Sequence, residues 1–366
     1  MDNLKIGFIG LGLIGGSIAR SIKKFYPNYI LGAYSRTRSA CEMAKSDKVI
    51  DIICTSEDPF FGTCDFIFLC APVQTNIAYL TFMKKIMKPD CILTDVGSVK
   101  GDIHEAVRQC DLEDHFIGGH PMAGTEKTGY ANSTDYMVEN AYYFITPSSK
   151  TGDEQVRRYA ELLSAIGSVP LIMTPEEHDF IVAGISHLPQ LVASSLVNTV
   201  AGIDTENEEM KLVAAGGFKD ITRIASSSAV MWQHICQTNR KKILQVLDRF
   251  SLELKHVRSL VDTQDSEGLI RMFQSAKDYR DSLIDNKYSP TMKQYVLYCD
   301  IYDQPGGIAA ITTALYEGHI NIKNIGILHN REFEEGVIRL EFYDDKAFSL
   351  AYQYLTKHGF VVRKRS

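Results

Sequence analysis

Leu4-Lys5-Ile6-Gly7-Phe8-Ile9-Gly10-Leu11-Gly12-Leu13-Ile14-Gly15 is the stretch on which the fold turns. Residues 4–9 have the apolar character of a buried strand, the glycines that follow fit GxGxxG, and Ile14 to Phe25 carry helical spacing. Tyr29 to Tyr34 reads as a second strand, which completes a βαβ unit. In that setting each glycine has a task. Gly10 permits the tight turn, Gly12 lets a pyrophosphate approach the main chain, and Gly15 lets the helix pack closely on the strand. The helix N-terminus offers N–H groups and partial positive charge to the phosphates. Gly10, Gly12, Leu13, Ile14 and Gly15 are therefore the expected binding turn for a dinucleotide.

Outward from this unit, strands are expected at Phe66–Cys70, Cys91–Asp95 and Tyr142–Ile145, with helices between them, giving a Rossmann-like doubly wound α/β domain over 1–170. Thr174-Pro175-Glu176-Glu177 looks like a helix start, with proline at the first position and acids in the first turn. Beyond it apolar residues recur at helical spacing, as in Ile243, Val246, Leu247, Phe250 and Leu254, and predict an all-α domain over 171–288. The polar stretch Asn286-Lys287-Tyr288-Ser289-Pro290 marks a boundary. From 294 to 366 the order strand, helix, strand, strand, helix, strand is ferredoxin-like.

Composition narrows the function classes. A chain of 366 residues exceeds the reach of one core, so two or three domains are expected. The net charge of -6, with basic residues scattered apart from Arg363-Lys364-Arg365, gives no footprint for nucleic acid. No run approaches the roughly 20 uninterrupted apolar residues of a membrane helix, and no targeting signal is read at the N-terminus. Eight cysteines without a CxxC pair point to reduced thiols, a cytoplasmic setting and no metal site.

About twenty residues after the glycine turn, a carboxylate normally holds the ribose 2′-hydroxyl of NAD. Here the chain reads Tyr34-Ser35-Arg36-Thr37. Ser35 and Arg36 can bind a 2′-phosphate, or Arg36 can stack on adenine and leave NAD usable, so NAD and NADP are both open.

Two polar segments stand where a core would not want them: Asp95-Val96-Gly97-Ser98-Val99-Lys100 and Gly118-Gly119-His120-Pro121-Met122-Ala123-Gly124-Thr125-Glu126. Both are read as loops following strands, at the edge where α/β sheets bind ligands. With these, Ser186-His187-Leu188-Pro189-Gln190, Gly216-Gly217-Phe218-Lys219-Asp220-Ile221-Thr222-Arg223 and Trp232 complete a set that resembles the prephenate and arogenate dehydrogenase family over about 1–290.

The resemblance implies oxidative decarboxylation of prephenate to 4-hydroxyphenylpyruvate in tyrosine biosynthesis, or the same chemistry on arogenate. His120 is then the base for the substrate hydroxyl, and Ser98 orients both His120 and that hydroxyl. Lys219 and Arg223, four residues apart on one expected helix face, supply cations for a dicarboxylate. His187, Glu126 and Trp232 are further expected substrate contacts, and Glu126 or Asp220 is a partner for Arg223 without substrate. The helical domain implies a homodimer. The C-terminal unit resembles an ACT domain, with Asp303, Gly306, Asn321 and Ile322 as candidate contacts for an amino-acid effector such as tyrosine, or with association as its role. A catalytically silent nicotinamide or amino-acid sensor is the reading from another class, and Ser98, His120 and Arg223 speak against it.

Overall fold

The computed structural model describes residues 3–125, 127–285, 295–302, 305–328 and 335–364. Its residues gather into two compact units, Met1–His256 and Val257–Ser366. The first thus takes in both the α/β part and most of the helical part, and the division falls inside a helix rather than at the polar stretch 286–290, which lies outside the described residues.

The α/β part opens with β1 (Lys5–Ile9), α1 (Leu13–Phe25), β2 (Ile30–Tyr34), α2 (Arg38–Ser46), β3 (Ile52–Ile53), β4 (Phe66–Leu69), α3 (Val73–Ile86) and β5 (Ile92–Asp95). All five strands are parallel, in the order β3-β2-β1-β4-β5. Both faces are covered, which is why β1 and β4 are nearly continuous apolar runs. One core holds Ile6, Phe8, Ile18 and Phe68, and the other Ile9, Ile67, Leu69 and Leu93.

α4 (Gly101–Gln109) leads to β6 (Ile117–Pro121), β7 (Tyr142–Pro147), α5 (Asp153–Ala165) and β8 (Val169–Ile172). These strands form a separate sheet in the order β6-β7-β8, which a parallel bridge between Leu93 and Phe116 joins to the first. His120 therefore lies within β6, opposite Phe144, and not in a loop. Its glycine-rich surroundings gave the appearance of a loop; Gly118 and Gly119 are strand residues in crowded places.

α6 (Pro175–Val182) starts where the capping residues predict. Thr174 Oγ1 accepts from the Glu177 N–H at 3.2 Å, and Glu177 Oε2 accepts from the Thr174 N–H at 2.8 Å. A π-turn over Ala183–His187 carries the chain into α7 (Leu188–Ile203). Pro189 has no N–H to give the preceding turn, and the widened turn just before it accommodates its ring. The continuous helix Pro175–Ile203 is 29 residues long and apolar enough, by length and composition, to cross a membrane. The sequence expectation missed this because Ser186, His187 and Gln190 interrupt the apolar run without adding charge.

α8 (Glu209–Val213), α9 (Gly216–Thr222), α10 (Ala229–Thr238), α11 (Arg240–Asp262) and α12 (Ser266–Asp285) follow. In the second unit, β9 (Val296–Tyr302), α13 (Gly307–Glu317), β10 (Asn324–Leu328), β11 (Glu335–Glu341), α14 (Asp345–Lys357) and β12 (Val362–Lys364) make an antiparallel sheet in the order β10-β11-β9-β12, the ferredoxin-like arrangement. Leu297, Cys299, Ile311, Leu315, Ile338 and Leu355 form its core.

Candidate active site

The glycine turn sits between β1 and α1, at the carboxyl edge of the sheet. Gly10 has φ +91 and its N–H bonds Tyr34 O at 2.7 Å, so the turn is tied to the end of β2. A Cβ on Gly15 would lie 2.7 Å from Gly10 O and 2.8 Å from Cys70 Cβ, so only glycine lets α1 seat this closely. A Cβ on Gly12 would meet nothing within 4 Å, and no side chain caps the first turn of α1. An open approach and free N-terminal amides fit a dinucleotide pyrophosphate. Past β2, Ser35 is half-buried and Arg36 is exposed, and Arg38 bonds Glu42 four residues on.

The second half of the site is built on a buried ion pair. Asp95 ends β5 and Lys100 precedes α4; both side chains are 0% exposed, with Nζ at 2.6 and 2.5 Å from the two carboxylate oxygens. Burial pushes the Lys100 ammonium down from its usual range while Asp95 pulls it back up. The pair grips the residue before His120 from both sides. Lys100 Nζ donates to Gly119 O at 2.7 Å, and Asp95 Oδ1 accepts from Gly119 N at 3.1 Å. This lock sits beside the Leu93–Phe116 bridge between the two sheets.

His120 is half-buried, and its Nδ1 lies 2.8 Å from His178 Nε2 on α6. His178 Nδ1 in turn lies 2.8 Å from Asp179 Oδ1. Asp179 accepts from Lys100 N at 2.8 Å and Gly101 N at 2.9 Å, the first amides of α4. The circuit closes: Lys100 reaches His120 through its side chain and Gly119, and through its backbone by way of Asp179 and His178. Burial lowers the His120 imidazolium well below its ordinary range, with His178, Lys100 and His187 adding to the effect. Burial also lowers His178, and the bond to Asp179 opposes it.

His187, in the π-turn, is 1% exposed and pushed down to about 4 by burial. Its Nδ1 is 3.2 Å from Asn239 Nδ2, which also donates to Asp179 O at 2.7 Å. The ring of Trp232 stands edge-on to it, centroids 5.9 Å apart, and Trp232 Nε1 is buried with no hydrogen-bond partner among the described residues. An unpaired indole donor beside a neutral imidazole suits a ligand oxygen.

Other expected residues are placed differently. The hydrogen bond His120 makes is to His178, not to Ser98, which lies half-buried in the loop after β5. Lys219 lies in α9, which ends at Thr222, whose hydroxyl bonds back to Phe218 O at 2.6 Å, and Arg223 follows as its αR C-cap and opens a 3₁₀ turn, Arg223–Ser226. Both are exposed, and neither has an ion pair among the described residues. Asp220 does not pair with Arg223, since exposed charges in water gain little from contact. Glu126 and Asp303 lie outside the described residues. Gly306 caps α13 with φ +91, while Asn321 is exposed and Ile322 packs on the C-terminal core, ahead of β10.

Sequence reasoning missed His178, Asp179 and Asn239, and quoted Asp95 and Lys100 without a role. The available signal was a His-Asp pair in the first turns of a helix whose capping box was legible.

Residues 18–172 match the family model described as prephenate dehydrogenase, nucleotide-binding domain, and 174–275 the one described as its dimerization domain. Prephenate dehydrogenase of Bacillus subtilis is 37% identical over 342 residues, 92% of this chain and 91% of the relative. Cyclohexadienyl dehydrogenase of Zymomonas mobilis is 31% identical over 277 residues, 75% of this chain and 94% of the relative. Among solved structures, prephenate dehydrogenase from A. aeolicus, in complex with hydroxyphenyl propionate and NAD+, superposes with a TM-score of 0.73 at 30% identity, covering 77% of this chain and 99% of that one. Synechocystis arogenate dehydrogenase gives 0.70 at 32%, covering 76% and 100%.

Proposed function

The chain belongs to the prephenate dehydrogenase family, NAD-dependent oxidoreductases of tyrosine biosynthesis, and from that premise we propose how its residues divide the work of turning prephenate into 4-hydroxyphenylpyruvate. The observation that carries the assignment is His120, held near the end of β6 with its Nδ1 engaged by His178 and its Nε2 left to a ligand. His120 accepts the proton of the ring hydroxyl, as a neutral imidazole can. Ser98, in the loop after β5, orients the same hydroxyl. Arg223 and Lys219 hold the substrate carboxylates, with His187, Trp232 and Glu126 completing the pocket. A bound nicotinamide, seated on Gly10–Gly15, supplies the hydride acceptor.

NAD is the cofactor of the A. aeolicus complex. Here the absence of a carboxylate in Tyr34-Ser35-Arg36-Thr37 admits NADP as well. Absorbance at 340 nm should rise with prephenate and either dinucleotide. Arg36→Glu should lower kcat/KM with NADP by about tenfold or more and leave NAD within about threefold. Arg223→Ala should raise KM for prephenate about 30- to 100-fold, because one charge-assisted bidentate contact is lost. No reduction with any pairing rejects the assignment.

A second copy of this chain covers the exposed apolar side chains of the helical part, among them Phe180, Ile185, Ile203, Leu212 and Val230. This is how the apolar helix Pro175–Ile203 is used in place of a membrane span. Eight unpaired thiols support a reducing, cytoplasmic setting. The C-terminal unit serves as an ACT-like effector domain, with Asp303, Gly306, Asn321 and Ile322 near its ligand; an unchanged rate when tyrosine is added to the full chain counts against that role.

A further inference from the structure

Three side chains line up behind the candidate base. A carboxylate only accepts, and Asp179 already takes two backbone N–H groups, so His178 Nδ1 at 2.8 Å must donate to it. His178 Nε2 then keeps its lone pair and accepts, and His120 Nδ1 at 2.8 Å is the donor. Every proton in the row is assigned. The lone pair of His120 falls on Nε2, the nitrogen that no described protein group bonds.

The stoichiometry of the reaction gives the row a task. The substrate oxygen begins as an alcohol and ends as a phenol. Its O–H bond breaks so that a carbonyl can form as hydride leaves the ring carbon. When carbon dioxide departs, the electrons of the broken C–C bond flow through the ring onto that oxygen, which regains a proton. Prephenate dianion gives hydroxyphenylpyruvate monoanion, carbon dioxide and the hydride, so no proton is released overall. The enzyme must hold a proton and give it back.

We propose that His178 and Asp179 are positioning residues of a reversible proton store. As His120 Nε2 takes the hydroxyl proton, the Nδ1 proton of His120 passes to His178 Nε2, and the positive charge rests on an imidazolium bonded to the Asp179 carboxylate. The reverse shift returns the proton to the phenolate oxygen. This rests on the reading of His120 as the base.

The surroundings favour the inner position for the charge. His120 faces His178, Lys100 and His187, all of which disfavour a positive ring there. His178 faces Lys100 too, but also Asp179 and Asp95, which favour one. The ring of Phe144 lies 5.2 Å from that of His178 and 6.1 Å from that of His120, an apolar neighbour to both.

The test uses the full chain with His178→Gln, Asp179→Asn and His120→Asn, measuring kcat, KM and the pH profile with prephenate. His178→Gln and Asp179→Asn should lower kcat about tenfold or more, with KM within about threefold. Their acid limb should move to lower pH, because a protonated row cut off from the Asp179 charge is less stable. A wild-type plateau and limb in both variants overturns the proposal, and so does a lower plateau with an unmoved limb, which a purely structural role would give. If Asp179→Asn unfolds for want of its bonds to α4, His178→Gln decides, with circular dichroism and dinucleotide binding as controls. An active His120→Asn sinks the base assignment itself; an inactive His120→Asn beside a normal His178→Gln sinks the store alone.

Discussion

His120→Asn should lower kcat for prephenate oxidation by about 10³-fold, within the 10²–10⁴ that a positioned general base contributes, with dinucleotide affinity unchanged. Asparagine is the informative replacement. Its Nδ2 reaches the place of the imidazole Nδ1 and can still donate to His178 Nε2, so the packing against Phe144 and the link to α6 survive. Only the lone pair at Nε2 is removed. In the wild type the rate should fall as pH drops, because the neutral imidazole is the working form. Burial lowers the folded pKa, so that limb lies on the acid side of the ordinary value of about 6.5. The residual activity of the variant should lack it. Steady-state kinetics across pH provide the check, and a kcat within tenfold of wild type would falsify the assignment.

Lys100→Met should be the most damaging single substitution for stability. It leaves the Asp95 carboxylate 0% exposed without its counter-charge, and breaking a buried pair in this way costs about 3–5 kcal/mol. In a unit of this size that corresponds to a fall in Tm on the order of 10 °C. The loss should reach the site as well, since Gly119 O loses its donor beside the bridge between the sheets. Adding Asp95→Asn should restore part of the stability, because the orphaned charge is then gone. Thermal and denaturant unfolding followed by circular dichroism measure both; a single variant as stable as wild type would show that the pair is not a lock.

What was legible in the sequence was local. The dinucleotide turn could be read because backbone chemistry is written in glycines at fixed spacing, and the start of α6 because Pro175 and the acids Glu176 and Glu177 mark its first turn. What escaped depends on docking. His120 and His178 are 58 residues apart, and Lys100 and Asp179 are 79 apart; they meet only when α6 settles against β6. No periodicity announces such a meeting. His120 was taken for a loop residue because glycine usually weakens a strand, whereas β6 needs Gly119 where Asp95 O and the Tyr159 hydroxyl crowd it.

The capping of α4 by Asp179 also sets an order in time. A nascent chain that has emerged only through β8 has every strand of both sheets and the glycine turn, and holds what a dinucleotide requires. It lacks the carboxylate that finishes the start of α4 and the imidazole that aims His120. By the proposed division of work, the cofactor turn lies wholly before Thr174, whereas the bonds that aim His120 come from the segment that begins there.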